Sequence, residues 1–293
     1  MHKLVFYLSF PIIWFFSKLP FRVLYVISDG LYYILFYLIG YRKTVVLDNL
    51  KLSFPEKSEK ELKQIRKLFF KHFTDVFIES VKSFSITEET LQKRYHFKNP
   101  EVVNDVAKQG KSIILLGSHY ANWEWITSTP LALNIEVFAA YTKLENKYFE
   151  KAIKKNRTKF GMIGFKTTEF IKYMMSNIKN KRQGLYILLS DQSPQLKKTF
   201  YWKEFLGVKV PIHTGAEMLS KKFDCAVINY SCKKVKRGYY EIEFETITTS
   251  PKEFDDFQIM DKYLEITEAH IREEPAYYLW SHKRFKHKDK APK

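Results

Sequence analysis

The chain opens on two apolar stretches of different kinds. From Leu4 to Ser17 no residue is charged (LVFYLSFPIIWFFS). That run is about 14 residues, short of the roughly 20 a helix needs to span a bilayer. Lys18 and Arg22 follow as a basic step. Apolar character then resumes from Phe21 to Tyr41, broken by Ser28, Asp29 and Gly30. Within it Val23, Ile27, Leu31, Ile34 and Leu38 recur at helical spacing. A basic start before an apolar run has the outline of a signal peptide, but no small-x-small cleavage site follows. Residues 1–41 are therefore expected to form an uncleaved anchor, as one tilted span or as interfacial helices. A buried hairpin capping a soluble core is the alternative. Lys18, Arg22, Arg42 and Lys43 flank the apolar pieces, where they could meet anionic head groups.

Ser58-Glu59-Lys60-Glu61 spells a capping box. Leu62, Ile65, Phe69, Phe73, Val76 and Phe77 then recur every three or four residues, which predicts a long amphipathic helix. From Ser112 the period changes, and Ser112 to Gly117 reads as a buried strand. Helical segments are expected over 120–133, 147–160, 168–178, from His213-Thr214-Gly215 to about Phe223, and over 261–274, the last stopped by Pro275. Strands are expected over 135–141, 185–189, 226–230 and 239–245. This alternation predicts an α/β fold, a mostly parallel central sheet flanked by helices, in one domain over 42–293. In such sheets reactive groups gather beyond the carboxyl ends of the strands. His119 and Asp191 both fall there.

Charge narrows the partners. Lys and Arg number 49 against 32 Asp and Glu, a formal net charge of +17. Such a surface attracts nucleic acid, phosphorylated lipid, an anionic leaflet or an acidic carrier protein, unless it reflects only solubility and a Lys-rich proteome. Aromatic residues make up 17% of the chain, which suits one that meets lipid. Cys225 and Cys232 form no CxxC pair and lack neighbouring His ligands, so neither a zinc site nor a disulfide framework is expected.

The candidate chemistry lies in Gly117-Ser118-His119-Tyr120-Ala121-Asn122-Trp123-Glu124-Trp125. His119 and Glu124, five apart, would lie apart around one continuous helix. They can meet if His119 sits in the turn after the strand and Glu124 in the first helical turn. A neutral imidazole could then take the proton of a lipid hydroxyl, while Glu124 accepts the other ring N–H and steadies the imidazolium. Backbone N–H groups at the helix start could hold the oxyanion. Such a step on a thioester donor needs no cofactor, and no metal-ligand cluster stands out. By itself the five-residue spacing is a weak signal, and a lone His is more often structural.

Several blocks, in order, resemble the bacterial lipid A late acyltransferase family. They are Tyr41-Arg42-Lys43-Thr44-Val45-Val46-Leu47-Asp48-Asn49-Leu50 with Ser53-Phe54-Pro55; Leu116-Gly117-Ser118-His119 through Trp123-Glu124; Leu188-Leu189-Ser190-Asp191-Gln192; Phe205-Leu206-Gly207 with His213-Thr214-Gly215; and Tyr278 through Phe285. The resemblance covers nearly the whole chain. It implies transfer of an acyl chain from acyl carrier protein to a hydroxyl of a lipid A precursor, at the cytoplasmic face of the bacterial inner membrane. It implies His119 as base with Glu124 as partner, and Arg157, Asp191 and Gln192 in substrate contact or site architecture. Taken alone, Arg157 also reads as a surface ion-pair residue and Asp191 as a turn or cap. The short, Pro-broken first run and the Ser193-Pro194-Gln195 continuation depart from the family pattern.

Two rivals remain. One is a related acyltransferase acting on a lysophospholipid, glycerol phosphate or an amino-acid lipid. The other is a non-enzymatic basic nucleic-acid-binding protein. No RNA-recognition or zinc-finger pattern supports the second, and the apolar N-terminus speaks against it.

Overall fold

A computed structural model of the chain describes residues 2–291. Two N-terminal helices come first, α1 (His2–Lys18) and α2 (Phe21–Tyr33). α2 continues into a π-helical turn, Ile34–Ile39. Together Phe21–Ile39 is, by length and composition, apolar enough to cross a membrane. Its two faces differ. Leu24, Ser28, Tyr32 and Phe36, each one turn on from the last, are buried, while Val26, Tyr33, Tyr37 and Leu38 stand exposed. The buried face packs on α4 (Glu59–Lys82), which follows α3 (Lys43–Ser53). Ser28 donates to Asp75 Oδ1 at 2.8 Å across this contact.

α4 starts where the capping box places it. The Ser58 N–H donates to Glu61 Oε2 at 2.8 Å, and the Glu61 N–H donates to Ser58 Oγ at 3.3 Å. α5 (Glu88–Arg94), β1 (Tyr95–Phe97) and α6 (Glu101–Lys108) lead into the sheet. Its next strands and helices are β2 (Ile113–Gly117), β3 (Val137–Tyr141), α7 (Lys147–Arg157), β4 (Ile163–Lys166), α8 (Phe170–Lys179) and β5 (Leu185–Leu189). A separate hairpin, β6 (Trp202–Phe205) and β7 (Val208–Pro211), precedes α9 (Gly215–Phe223). β8 (Ala226–Lys236), β9 (Tyr239–Thr248) and α10 (Gln258–Glu273) complete the order.

The seven-stranded sheet runs β1-β9-β8-β2-β5-β3-β4. Every neighbouring pair is parallel except β8–β9. The mostly parallel sheet flanked by helices is thus as expected. The exception has a simple cause: a tight turn joins two strands only in antiparallel sense, whereas parallel strands need a crossover. β2 lies centrally, and all five of its residues are buried, as its unbroken apolar run requires.

Differences from the sequence reading are local. β1, β4 and the β6–β7 hairpin were not expected. β1 and β4 are short strands at the two sheet edges. The hairpin turns on Leu206 and Gly207, both at positive φ (54° and 75°). The segment expected to be helical from 120 instead becomes a 3-10 helix over Trp123–Leu131, with Pro130 inside. Ala121 at φ +49° interrupts any earlier start, and Asn122 Oδ1 caps the new one by accepting from the Trp125 N–H at 3.0 Å.

Candidate active site

The site begins with strand register. Gly117 at the end of β2 pairs with Leu189 at the end of β5. Both chains leave the sheet side by side at its carboxyl edge, so residues two beyond each meet. His119 Nδ1 lies 2.8 Å from Asp191 Oδ1. A carboxylate only accepts, so Nδ1 carries the proton and Nε2 of the neutral ring keeps its lone pair. Asp191 is 1% exposed, and its Oδ2 has no hydrogen-bond partner in the protein. The His119 side chain is 20% exposed.

Burial pulls the His119 ring toward lower pKa. The charge and hydrogen bond of Asp191, with a smaller part from Glu124, outweigh that and hold it above the ordinary imidazole value. Burial pushes Asp191 the other way, and the His119 contact more than offsets it, so its carboxyl titrates below the usual range.

The contact expected between Glu124 and the imidazole is made by Asp191 instead. Glu124 turns to Arg157, whose Nη2 stands 3.2 and 3.4 Å from the two carboxylate oxygens. The delayed start of the 3-10 helix places Glu124 in its first turn, facing the last residue of α7. His119, Glu124 and Arg157 line one cavity of about 560 Å³. Ile126, Ala140, Met162, Ile187 and Leu188 give that cavity an apolar wall, and the Trp123 ring packs edge-on to His119 at 5.7 Å. Gln192 is partly buried one residue beyond Asp191 and lies outside this lining.

The loop bearing His119 is held from behind. The Tyr263 hydroxyl donates to Gly117 O at 2.7 Å, the Ala121 N–H to Tyr277 O at 3.0 Å and the Leu279 N–H to His119 O at 3.1 Å. The 278–285 block is in turn tied to the post-anchor block. Asn49 Nδ2 donates to Trp280 O and His282 O at 2.8 Å each, and Arg42 Nη1 to Ser281 O at 2.8 Å. Sequence blocks far apart in the chain thus converge on one loop. His282 does different work: its Nε2 accepts the Ser193 N–H at 3.4 Å, and burial with Lys286 nearby pushes it down to about 4.

Sequence reasoning missed two positioning residues on α4. His72 Nε2 donates to Ala121 O at 3.2 Å, while its Nδ1 accepts from Lys234 Nζ at 3.2 Å, which fixes the tautomer. Glu79, 0% exposed, accepts from Asn122 Nδ2 at 2.7 Å and from the hydroxyls of Tyr25 and Tyr240 at 2.8 Å each. The available signal was spacing: His72, Asp75 and Glu79 recur at helical intervals on the buried face of an otherwise apolar pattern. Among the described residues no group of three or more His, Cys, Asp or Glu side chains could hold a metal ion.

Comparison with known proteins agrees with this architecture. The lipid A biosynthesis lauroyltransferase of Escherichia coli strain K12 is 23% identical over 288 residues, covering 96% of this chain and 90% of the relative. The family model described as bacterial lipid A biosynthesis acyltransferase matches residues 1–287. With an imidazole–carboxylate pair beside an apolar cleft at the sheet's carboxyl edge, and a match along nearly its whole length, the chain belongs to the bacterial lipid A biosynthesis acyltransferase family and is an acyltransferase.

Proposed function

We propose that the protein moves a fatty-acyl chain from an acyl carrier protein thioester to a hydroxyl of a lipid A precursor, with His119 as general base. Nε2 takes the hydroxyl proton as the oxygen attacks the thioester carbonyl. The tetrahedral intermediate collapses with loss of the thiolate, which receives the proton back from the imidazolium. Asp191 holds the tautomer that leaves Nε2 free and steadies the charge formed. Glu124 orients Arg157, whose remaining N–H groups can meet the oxyanion or a substrate phosphate. Gln192 completes the substrate-facing loop. The apolar wall accepts the alkyl chain, and the net charge of +17 favours both an acidic carrier and a phosphorylated acceptor.

The observation that carries this reading is the His119–Asp191 contact of 2.8 Å at the edge of an apolar cavity. Residues 1–41 serve as the membrane anchor and 42–293 as the catalytic domain on the cytoplasmic face of the inner membrane. The exposed apolar face of Phe21–Ile39 supports the contact with a membrane, and the resemblance to the family supports the side. The nucleic-acid reading does not stand beside membership of an enzyme family.

The test is transfer in vitro from acyl carrier protein to a lipid A precursor, with lysophospholipid as competing acceptor. The parent should acylate the precursor, and His119→Ala should lose transfer while melting like the parent. Transfer to lysophospholipid alone would change the acceptor, and an active, folded His119→Ala protein would end the mechanism.

A further inference from the structure

A second cavity, of about 750 Å³, lies between α2, α4, the β8–β9 turn and the segment after α10. It shares no lining residue with the reactive cleft. Its walls are polar and its edge is not. Lys71, Lys234, Lys236 and Arg237 face it, against the carboxylates Asp29, Asp75 and Glu274. Arg237 is committed to two of those acids, through Nη2 to Asp29 Oδ1 at 2.7 Å and Nε to both Asp75 oxygens at 3.0 Å. Lys234, with a side chain only 11% exposed, donates to His72 Nδ1 and lies 3.7 Å from Asp75.

Lys71 and Lys236 are different. Among the described residues neither has a carboxylate within salt-bridge distance. Lys236 leans over the Tyr239 ring at 4.3 Å and Lys71 over Tyr32 at 5.6 Å. Glu274 is exposed at the rim and opposes part of this charge. The lining is left with a surplus of one positive charge, which matches a phosphodiester rather than a multiply charged phosphate. The apolar rim argues for more than a free anion. Tyr33 is 60% and Leu68 41% exposed at the cavity, and Leu38, farther along the same apolar helix, is 80% exposed. Basic pockets beside membrane helices are where anionic head groups settle.

We propose that this cavity holds the phosphodiester head group of an anionic membrane lipid, with its chains lying along the exposed face of Phe21–Ile39. Lys71 and Lys236 would supply the charge-assisted hydrogen bonds, and Lys234 the floor. The site shares no lining residue with the reactive cleft and adjoins its supporting loop only through Lys234 and His72; its occupant rests on the reading of Phe21–Ile39 as a membrane helix, not on acyl transfer.

The experiment is calorimetric titration of the full chain in neutral detergent with dihexanoyl phosphatidylglycerol, dihexanoyl phosphatidylcholine and inorganic phosphate. Phosphatidylglycerol should bind at least about tenfold more tightly than the other two, a difference of roughly 1.4 kcal/mol. Lys71→Glu with Lys236→Glu should weaken that binding by about tenfold or more. A control of equal charge change, Lys172→Glu with Lys179→Glu on α8, should leave it within about twofold. All four lysines are exposed, and melting curves check that both variants fold. Equal loss in both variants would reduce the effect to general surface charge. Unchanged binding in the first variant would place the lipid elsewhere. Equal affinity for inorganic phosphate or phosphatidylcholine would remove the head group or the charge from the argument. Each of these outcomes overturns the proposal.

Discussion

Replacing Asp191 by Asn separates the two carboxylates that could serve His119. The side chain keeps its size, so the 2.8 Å contact can persist while the charge is lost. If the amide oxygen faces Nδ1, the amide N–H₂ takes the place of the unpartnered Oδ2 and is buried without an acceptor, at a cost of about 1–3 kcal/mol. If the amide flips, it donates to Nδ1, the ring proton moves to Nε2, and no base remains. Either way transfer should fall by about 10²–10⁴, or roughly 3–5.5 kcal/mol of barrier. The same substitution in a serine-protease triad costs about 10⁴ in kcat.

The pH profile adds a second reading. Asp191 is what holds His119 above the ordinary imidazole value against burial. Without that charge the acid limb of kcat/KM should move to lower pH while the plateau drops. Glu124→Gln removes only the lesser influence on the ring and should move the limb less. The assay is kcat/KM for acyl transfer between pH 5 and 9, with melting as the control for folding. An Asp191→Asn enzyme within about threefold of the parent, with an unmoved acid limb, would refute the assignment of Asp191 as the ring's partner.

Other consequences are more structural. A Cβ at Gly117 would stand 1.9 Å from Tyr230 Cε1, so Gly117→Ala should cost about 1–3 kcal/mol or more in chemical denaturation; a neutral result would mean the Tyr230 ring moves freely. Glu79→Ala strands three donors and should cost at least about 3 kcal/mol, and it should also slow transfer by releasing Asn122; parent-like unfolding would remove Glu79 from the support of the loop. Burial, with Asp75 nearby, pushes Glu79 up to about 7 from an ordinary 4.5. The folded state then binds this proton more tightly than the unfolded state. Its stabilising contribution is present below about pH 4.5 and is lost as pH rises toward about 7. Stability of the parent minus that of Glu79→Gln, measured across that window, should therefore fall with pH, and a flat difference would contradict it. Ser58→Ala should cost about 0.5–2 kcal/mol with transfer unchanged, read from denaturation and activity together.

Much of this protein is determined locally and could be read directly. The capping box of α4, the buried run of β2 and the stop of α10 before Pro275 each depend on neighbours a few residues away. The position of His119 and Asp191 beyond strand ends follows from the same patterns. Which carboxylate the imidazole meets does not. Glu124 is near His119 in sequence, but Asp191 comes opposite it only because Gly117 and Leu189 share a register between two strands 72 residues apart. Arg157 reaches Glu124, and His72 and Glu79 reach the reactive loop, through packing of whole elements. Periodicity fixes which face of a helix is buried, because that is a property of the helix itself. Which polar side chains meet there depends on how separate elements dock, and that was settled only when the sheet and its covering helices closed around one core.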